Sequence, residues 1–306
     1  MASASPICLM ARASSTKSWL WHQRLYHLNF DTINDLARND LVAGLPKFKY
    51  HKEHLCPSCE QGKGKRASHP PKPVPNTRQR LHLFHMDLCG PMRIASINGK
   101  RYILVIVDDY SHYTWVHFLR SKDEAPEVII TFLKRIIVLL QFPVIIIRTD
   151  NGIEFKNQVL KVYFDSVGIT HQMSSVRTPQ QNGVVERRNR TLVEAARTML
   201  IFSRAPLFLW AEAIATVCFT QNRSIIHRRF NKTPYELING RKPDISFLHR
   251  FLLRVSLKTA PLFTIGALCY PKNDREDIGK LGAKGDIGFS WDILLIPVLT
   301  EFTIVG

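Results

Sequence analysis

Two hydrophobic periods alternate along the chain, and each predicts a different kind of element. Ile33, Leu36, Ala37 and Leu41 recur three to four positions apart behind Asp31, which reads as the N-cap of a short helix ended by Gly44 and Pro46. Apolar runs of strand length follow at Leu81–Cys89, Tyr102–Val107 and Thr114–Leu119, separated by turn residues at Gly90-Pro91, Asn98-Gly99 and Ser111. Helical spacing returns over Asp123–Leu140, with Val128, Phe132, Ile136, Leu139 and Leu140 on one side. Val144–Ile147 reads as a buried strand, Phe155–Ser166 as a second helix and Ile169–Met173 as a fifth strand. The polar stretch Ser174–Gly183 reads as a loop, and the long helix after it carries an apolar stripe of Val185, Leu192, Ala196 and Met199. Three strands in a meander, then alternating helices and strands, predict an α/β layer on a five-stranded mixed sheet with flanking helices. Trp115 and Trp210 fall in apolar strand and helix contexts and read as core.

Length and composition narrow the class. At 306 residues and 45% hydrophobic, the chain suits about two domains of roughly 150 residues and excludes wholesale disorder. The longest apolar stretch, Ile136–Ile147, is interrupted by Gln141 and Pro143 and falls well short of the about 20 residues that cross a bilayer, so no membrane partner is expected. Six scattered cysteines do not make a disulfide scaffold. The first 30 residues hold no Asp or Glu and begin in the manner of a transit peptide, but no long Arg-rich amphipathic helix follows, and residues 1–18 read as a leader.

Charge changes the picture more. The formal net charge is +17, and it is segmental: residues 1–80 hold 13 basic and 5 acidic residues, residues 177–258 hold 15 and 5, and residues 81–176 are near neutral with 10 and 9. A near-neutral centre between two basic segments suits an enzyme core flanked by surfaces that hold nucleic acid, since each phosphate contact releases counterions. Residues 63–80, rich in Lys, Arg and Pro, read as a basic linker and the domain boundary.

Three acidic residues stand where such a sheet would carry an active site. Asp87 lies inside the first expected strand, Asp150 directly follows the fourth, and Glu186 lies in the first turns of the long helix. A carboxylate in an apolar strand carries several kcal/mol of desolvation cost, so Asp87 needs a cation. Carboxylates are hard oxygen ligands suited to Mg²⁺ or Mn²⁺, and two such ions roughly 3.5–4 Å apart can clamp the attacking and leaving oxygens of a phosphoryl transfer. Each residue alone also has a plain reading: Asp150-Asn151-Gly152 is a turn sequence, and Glu186 can pair with Arg190 one helical turn on. Asp108 and Asp109 are second-tier acids, equally at home in a turn before Tyr110-Ser111.

The local sequences decide between these readings. His85-Met86-Asp87-Leu88-Cys89-Gly90-Pro91, Arg148-Thr149-Asp150-Asn151-Gly152-Ile153-Glu154-Phe155 and Thr178-Pro179-Gln180-Gln181-Asn182-Gly183-Val184-Val185-Glu186-Arg187-Arg188-Asn189 resemble the integrase of copia-type LTR retrotransposons. The likeness continues through Ala195–Leu200 and Asn231–Leu237, so it spans about residues 19 to 245. The resemblance implies a ribonuclease-H-like fold over residues 81–250 and a metal-binding catalytic triad of Asp87, Asp150 and Glu186 for two Mg²⁺ or Mn²⁺ ions. It implies a polynucleotidyl transferase from a Gag-Pol polyprotein, acting on double-stranded DNA (element ends and target), working as a homo-oligomer, and reaching the nucleus from a cytoplasmic particle. Two other readings stand beside it: a catalytically inactive DNA-binding relic, and a ribonuclease-H-like nuclease, which the Glu186 helix behind a polar loop and a zinc module argue against.

That zinc module rests on spacing. Four residues separate His22 from His27, 28 separate His27 from Cys56, and two separate Cys56 from Cys59. Two imidazoles and two thiolates make a closed, structural zinc site, a staple that a unit of about 60 residues needs. On a continuous helix His22 and His27 would be rotated by about 140°, so a turn must bring them together. His51 or His54 could substitute as ligands on residues alone. Trp21-His22-Gln23-Arg24-Leu25-Tyr26-His27-Leu28 is similar to the pre-integrase zinc module of the same family, which implies one Zn²⁺ on His22, His27, Cys56 and Cys59 within residues 19–62.

Gln181, Asn182, Arg187, Arg188 and Arg190 cluster around Glu186 and read as DNA-binding, as do Lys63, Lys65 and Arg66 in the linker. Beyond residue 250, Leu268-Cys269-Tyr270-Pro271 resembles the family but Phe251–Ala267 and Ser290–Gly306 do not, so residues 251–306 are expected to be the degenerate tail of a truncated or frame-disrupted copy.

Overall fold

In a computed structural model, the structure describes residues 17–52, 54–63, 77–174, 182–203, 205–246 and 248. The expected linker is described only at its ends; most of the loop before the long helix and all of residues 251–306 lie outside the described residues.

The N-terminal unit has helices α1 (residues 17–24), α2 (Phe30–Arg38) and α3 (Pro57–Gly62). Trp21, Leu25, Phe30, Ile33, Leu36, Leu41 and Tyr50 form its apolar core. Asn34 holds the returning chain by exchanging two hydrogen bonds with the backbone of Tyr50, at 2.9 and 2.8 Å. The N-cap of α2 is Asn29, not Asp31: the Asn29 side chain accepts from the Asp31 N–H, and Asp31 sits in the first turn, where its charge opposes the helix dipole. Leu41 lies beyond the helix, buried in the turn that follows.

The rest is built on strands β1 (Leu83–Cys89), β2 (Tyr102–Asp108), β3 (Thr114–Leu119), β4 (Ile146–Thr149) and β5 (Thr170–Met173). They form one mixed sheet in the order β3-β2-β1-β4-β5, antiparallel from β1 to β3 and parallel from β1 through β4 to β5. With helices on both faces, this is the ribonuclease-H-like arrangement expected. Side chains alternate across β1. Phe84 and Met86 join Leu104, Ile106 and Trp115 under α4 (Ala125–Leu140) and α5 (Gln158–Val167). Cys89 joins Ile103, Val105 and Val107 under α6 (Gly183–Ser203) and α7 (Trp210–Ser224), and the alternation puts His85 and Asp87 on that same face. A final helix, α8 (Pro234–Asn239), starts with Thr233 accepting from the Glu236 N–H and Pro234 in its first turn, a start signal legible in Thr233-Pro234-Tyr235-Glu236.

Several boundaries move for local reasons. Strand β1 begins at Leu83 because Leu81 has φ 62° and gives its N–H to the Asp108 carboxylate. Helix α5 begins at Gln158, capped by the Asn157 side chain, while Phe155 is buried in the preceding turn. Strand β4 runs two residues further than expected, bringing Asp150 to its very end.

The N-terminal unit is fastened to the sheet domain at several places. Residues after α8 return to it: Ala43 and Asp244 form a parallel bridge, and Ile245 and Leu248 complete the apolar core around Trp21. Helix α3 lies on α6, so close that a Cβ on Gly62 would collide with Thr198.

Candidate active site and metal centre

Parallel pairing of β1 with β4 puts the ends of both strands on one edge, where open α/β sheets bind ligands. Asp87 projects from β1 toward α6, and Asp150 is the first residue past β4. Asp150 accepts from the Gly152 N–H at 3.1 Å, so it closes a turn and faces the site edge at once. Glu186 is exposed in the first turn of α6, and neither it nor Arg190 forms an ion pair with the other.

Electrostatics ties the three together. Burial pushes the Asp87 carboxyl up to about 6, and the charges of Asp150 and Glu186 push the same way against bonds from the Leu88 N–H and Asn189. Like charges that converge on one carboxyl are the arrangement that a divalent cation relieves. Among the described residues the three do not form a closed ligand cage; that property belongs to another group.

Asn189 is a candidate site residue that sequence reasoning missed. It is buried on α6, three positions after Glu186 and on the same helix side, and its Nδ2 donates to Asp87 Oδ2 at 2.5 Å. The signal was present as Glu-x-x-Asn at a spacing that points both side chains toward the strand. Asn189→Ala frees the Asp87 carboxylate to rotate. The expected result is about a 10- to 100-fold loss of activity at limiting metal, recovered in part at high Mn²⁺, as read from a Mn²⁺ titration.

The basic residues divide. Arg187 and Arg190 are exposed on α6. Arg188 turns inward and donates to the His112 carbonyl at 2.8 Å and to Gln221 Oε1 at 3.4 Å, so it clamps α6 to its neighbours instead of joining an open phosphate-binding face. Asn182 is likewise 2% exposed, its side-chain atoms without partners, and its carbonyl accepts from the Glu186 N–H. The inward turn has a physical cause: at the start of α6, alternate sides of the helix face the sheet and α7. Lys63 donates to the His27 carbonyl at 2.6 Å. Gln181, Lys65 and Arg66 lie outside the described residues.

Asp108 and Asp109 are turn builders. Asp108 accepts from the N–H groups of Leu81 and Ser111 and from the Ser111 hydroxyl; burial still pushes its carboxyl up to about 6. Burial also pushes Asp109 up, but bonds from His85 and the Thr77 N–H outweigh it and hold the carboxyl below the usual range.

A second cluster gathers His22, His27, Cys56 and Cys59, with all four ligand atoms within 4.8 Å of one another. Helix α1 ends before the second histidine, and positive φ at Tyr26 (51°) and His27 (60°) swings the chain back, as the spacing required. The edges are 3.3 Å between His27 Nδ1 and His22 Nε2, 3.4 Å from Cys56 Sγ to His27 Nδ1, and 3.5 Å from Cys59 Sγ to His22 Nε2. A tetrahedral zinc with Zn–N of about 2.05 Å and Zn–S of about 2.3 Å has N···N and N···S edges of roughly 3.3 and 3.6 Å, so these residues could hold zinc. The His22 Nδ1–H donates to the Leu28 carbonyl at 2.8 Å, which leaves Nε2 as the ligand atom. Burial lowers His22 to about 4 and His27 to about 3, so both rings are neutral, the form a metal takes. His51 and His54 stand outside this group; His54 stacks on Trp19.

The family described as "Integrase core domain" matches residues 77–179, and "GAG-pre-integrase domain" matches residues 1–64. The chain is 35% identical over 209 residues to the retrovirus-related Pol polyprotein from transposon TNT 1-94 of Nicotiana tabacum, covering 67% of this chain and 15% of that protein. It is 28% identical over 272 residues to the Pol polyprotein from transposon RE1 of Arabidopsis thaliana, covering 89% and 17%. The chain thus spans about a sixth of the length of these relatives. Among solved structures, the HTLV-2 integrase catalytic core domain in complex with magnesium (trimeric form) aligns with TM-score 0.41 at 23% identity, over 53% of this chain and 99% of that one.

Proposed function

We propose that this chain, which carries a GAG-pre-integrase domain and an integrase core domain and whose homologues are copia-type Pol polyproteins, is the integrase segment of such a polyprotein. It would be a polynucleotidyl transferase joining the 3′-hydroxyl ends of element DNA to target DNA. The observation that carries this reading is the convergence of Asp150 and Glu186 on Asp87, whose carboxylate Asn189 holds in place.

Asp87 and Asp150 would hold one Mg²⁺ or Mn²⁺, and Asp87 and Glu186 the other. Such a pair supplies activation of the attacking hydroxyl and stabilisation of the leaving 3′ oxygen. Asn189 orients the shared carboxylate, and the exposed Arg187 and Arg190 on the same helix hold phosphates of the DNA. Asp87, half-buried between β1 and α6, gives the site a partly dry wall where charges act strongly. His22, His27, Cys56 and Cys59 would hold one structural Zn²⁺, and the protein would work as a homo-oligomer in the nucleus.

The test is strand transfer of a labelled duplex bearing the element's end sequence into plasmid DNA with Mn²⁺, comparing the parent with Glu186→Gln. Transfer by the parent and its loss in the variant is the expected result. A folded, DNA-binding parent without transfer sinks the enzyme reading in favour of a DNA-binding relic, and cleavage of an RNA–DNA hybrid in its place points to a nuclease.

A further inference from the structure

The turn that carries Asp150 is held by a buried carboxylate outside the triad. Asp150 accepts from the Gly152 N–H at 3.1 Å, and the chain passes through the exposed Ile153 to Glu154, whose side chain is only 4% exposed. Phe155 anchors the far side of this turn in the core under α4 and α5. The Glu154 carboxyl group lies against Gly152: a Cβ added to Gly152 would stand 2.8 Å from its carbon and 2.9 Å from each oxygen. Gly152 has no positive φ, so glycine is needed there for this close approach and not for its backbone angle.

A second contact ties the same carboxylate to the connection between β3 and α4. Glu154 Oε1 accepts from Lys122 Nζ at 3.2 Å, while Oε2 is buried and forms no hydrogen bond among the described residues. Lys122 is presented by a fixed turn, because the Glu124 carboxylate just beyond it accepts from the Arg120 N–H at 3.0 Å and from Lys100 at 3.4 Å. The strand register puts this turn at the triad's end of the sheet. Cys89 pairs with Ile103 and Tyr102 with Leu119, so β3 ends on the side where β1 and β4 end. One line of contacts runs from Lys122 through Glu154 and Gly152 to the Asp150 carboxylate.

A side chain that only filled the space beside Gly152 would be apolar, as the neighbouring Phe155 and Leu160 are. A buried carboxylate with one ion pair and one unmet oxygen is a poor source of stability, so a fixed geometry is what it has to offer. We propose that Glu154, held by Lys122, is a positioning residue for Asp150. It props the Asp150-Asn151-Gly152 turn in the arrangement that aims the Asp150 carboxylate at Asp87. This rests on the reading of Asp87 and Asp150 as metal ligands, and it assigns the aim of one ligand to a pair outside the triad.

The test measures Mn²⁺ binding to the full chain by calorimetry without DNA, the site being identified by its loss in Asp87→Asn, and strand transfer across a Mn²⁺ series. Glu154→Ala is expected to weaken Mn²⁺ binding about 10-fold and to raise the Mn²⁺ needed for half-maximal transfer by the same factor, with most of the transfer recovered at saturating Mn²⁺. Lys122→Ala is the deciding variant. Acting by charge alone, loss of a cation near the site would tighten Mn²⁺ binding; loss of a prop weakens it, here by about 3- to 10-fold, with Lys122→Arg restoring most of the affinity. The double variant Lys122→Ala/Glu154→Ala should be no worse than Glu154→Ala, since both act through one contact. Unchanged or tighter Mn²⁺ binding in Lys122→Ala overturns the proposal, whether or not Glu154→Ala folds. So does a folded Glu154→Ala that loses transfer equally at every Mn²⁺ concentration. A parent with no Mn²⁺ site sensitive to Asp87→Asn sinks the metal reading and the positioning role together. A parent that binds Mn²⁺ but transfers no strands removes the enzyme reading alone, and the binding data still decide the role of Glu154.

Discussion

Stripping the ion from the His22, His27, Cys56 and Cys59 centre should unfold the N-terminal unit and lower the melting temperature of the whole chain by 10 °C or more. Structural zinc sites contribute about 10–16 kcal/mol of apparent binding energy in small zinc peptides, against a total stability of about 5–15 kcal/mol for a typical domain. Even a fraction of that loss is large, since each kcal/mol is worth about 2–4 °C at this size. Two buried imidazoles and two thiols left facing one another offer each other only the weak contacts at 3.3–3.5 Å. The damage should travel. Helix α3 sits on α6 at Gly62 and Thr198, the His27 ring meets Phe202 at 5.0 Å, and the unit's core includes Ile245 and Leu248 from beyond α8. A chelator series with a colorimetric zinc readout and thermal denaturation checks this, with one zinc per chain expected. Cys59→Ser should behave as the stripped parent does, and Cys89→Ser, outside the cluster, as the zinc-bound parent. Full thermal stability in the metal-free protein would sink the proposal of a structural zinc.

How far the residues alone reached depended on whether the informative signal was local. The strands, the two helical layers and the His-x₄-His spacing are written in short windows, so the sheet and the turn that joins His22 to His27 were legible. The carboxylates proposed for catalysis drew notice because each stands in a distinctive stretch and because Asp87 breaks an apolar strand. What could not be read was direction. Arg187, Arg188 and Arg190 are equivalent in sequence, yet Arg188 alone turns toward the His112 carbonyl, because the sheet and α7 occupy that side of α6. Asn189 hid for the same reason: its role exists only once α6 lies against β1. The return of Asp244, Ile245 and Leu248 to the N-terminal unit is a contact across about 200 positions, for which no local pattern stands. Asp31 failed as a cap because Asn29, equally suited, lies two residues earlier.

Asp87→Asn should push activity and stability in opposite directions, a combination that only a charge-loaded catalytic carboxylate produces. Asp87 is the ligand proposed to be shared between both ions, so its loss should reduce strand transfer by about 10³-fold or more, equivalent to roughly 4 kcal/mol on the barrier. The metal-free protein, by contrast, should be stabilised. Burial and the charges of Asp150 and Glu186 raise the Asp87 carboxyl from 3.8 to about 6. A carboxyl raised in the folded state contributes stability while it holds its proton, fully below about 4, and that contribution is lost as the pH climbs through about 6. Above that window the parent carries the whole penalty of an ionised Asp87. The upward shift, at 1.36 kcal/mol per unit and discounted for partial exposure, predicts that Asn gains about 1–2 kcal/mol at pH 7.5 and almost nothing at pH 4. The amide keeps a carbonyl oxygen to accept from Asn189 Nδ2, so the hydrogen bond survives the change. Adding Mg²⁺ or Mn²⁺ should invert the order, because an ion that binds only the parent adds stability by mass action. Thermal melts at pH 4 and 7.5, with and without metal, measure all four corners. A metal-free Asp87→Asn that melts below the parent at pH 7.5 would contradict the charge convergence, and transfer above a tenth of the parent's would remove Asp87 from the catalytic set.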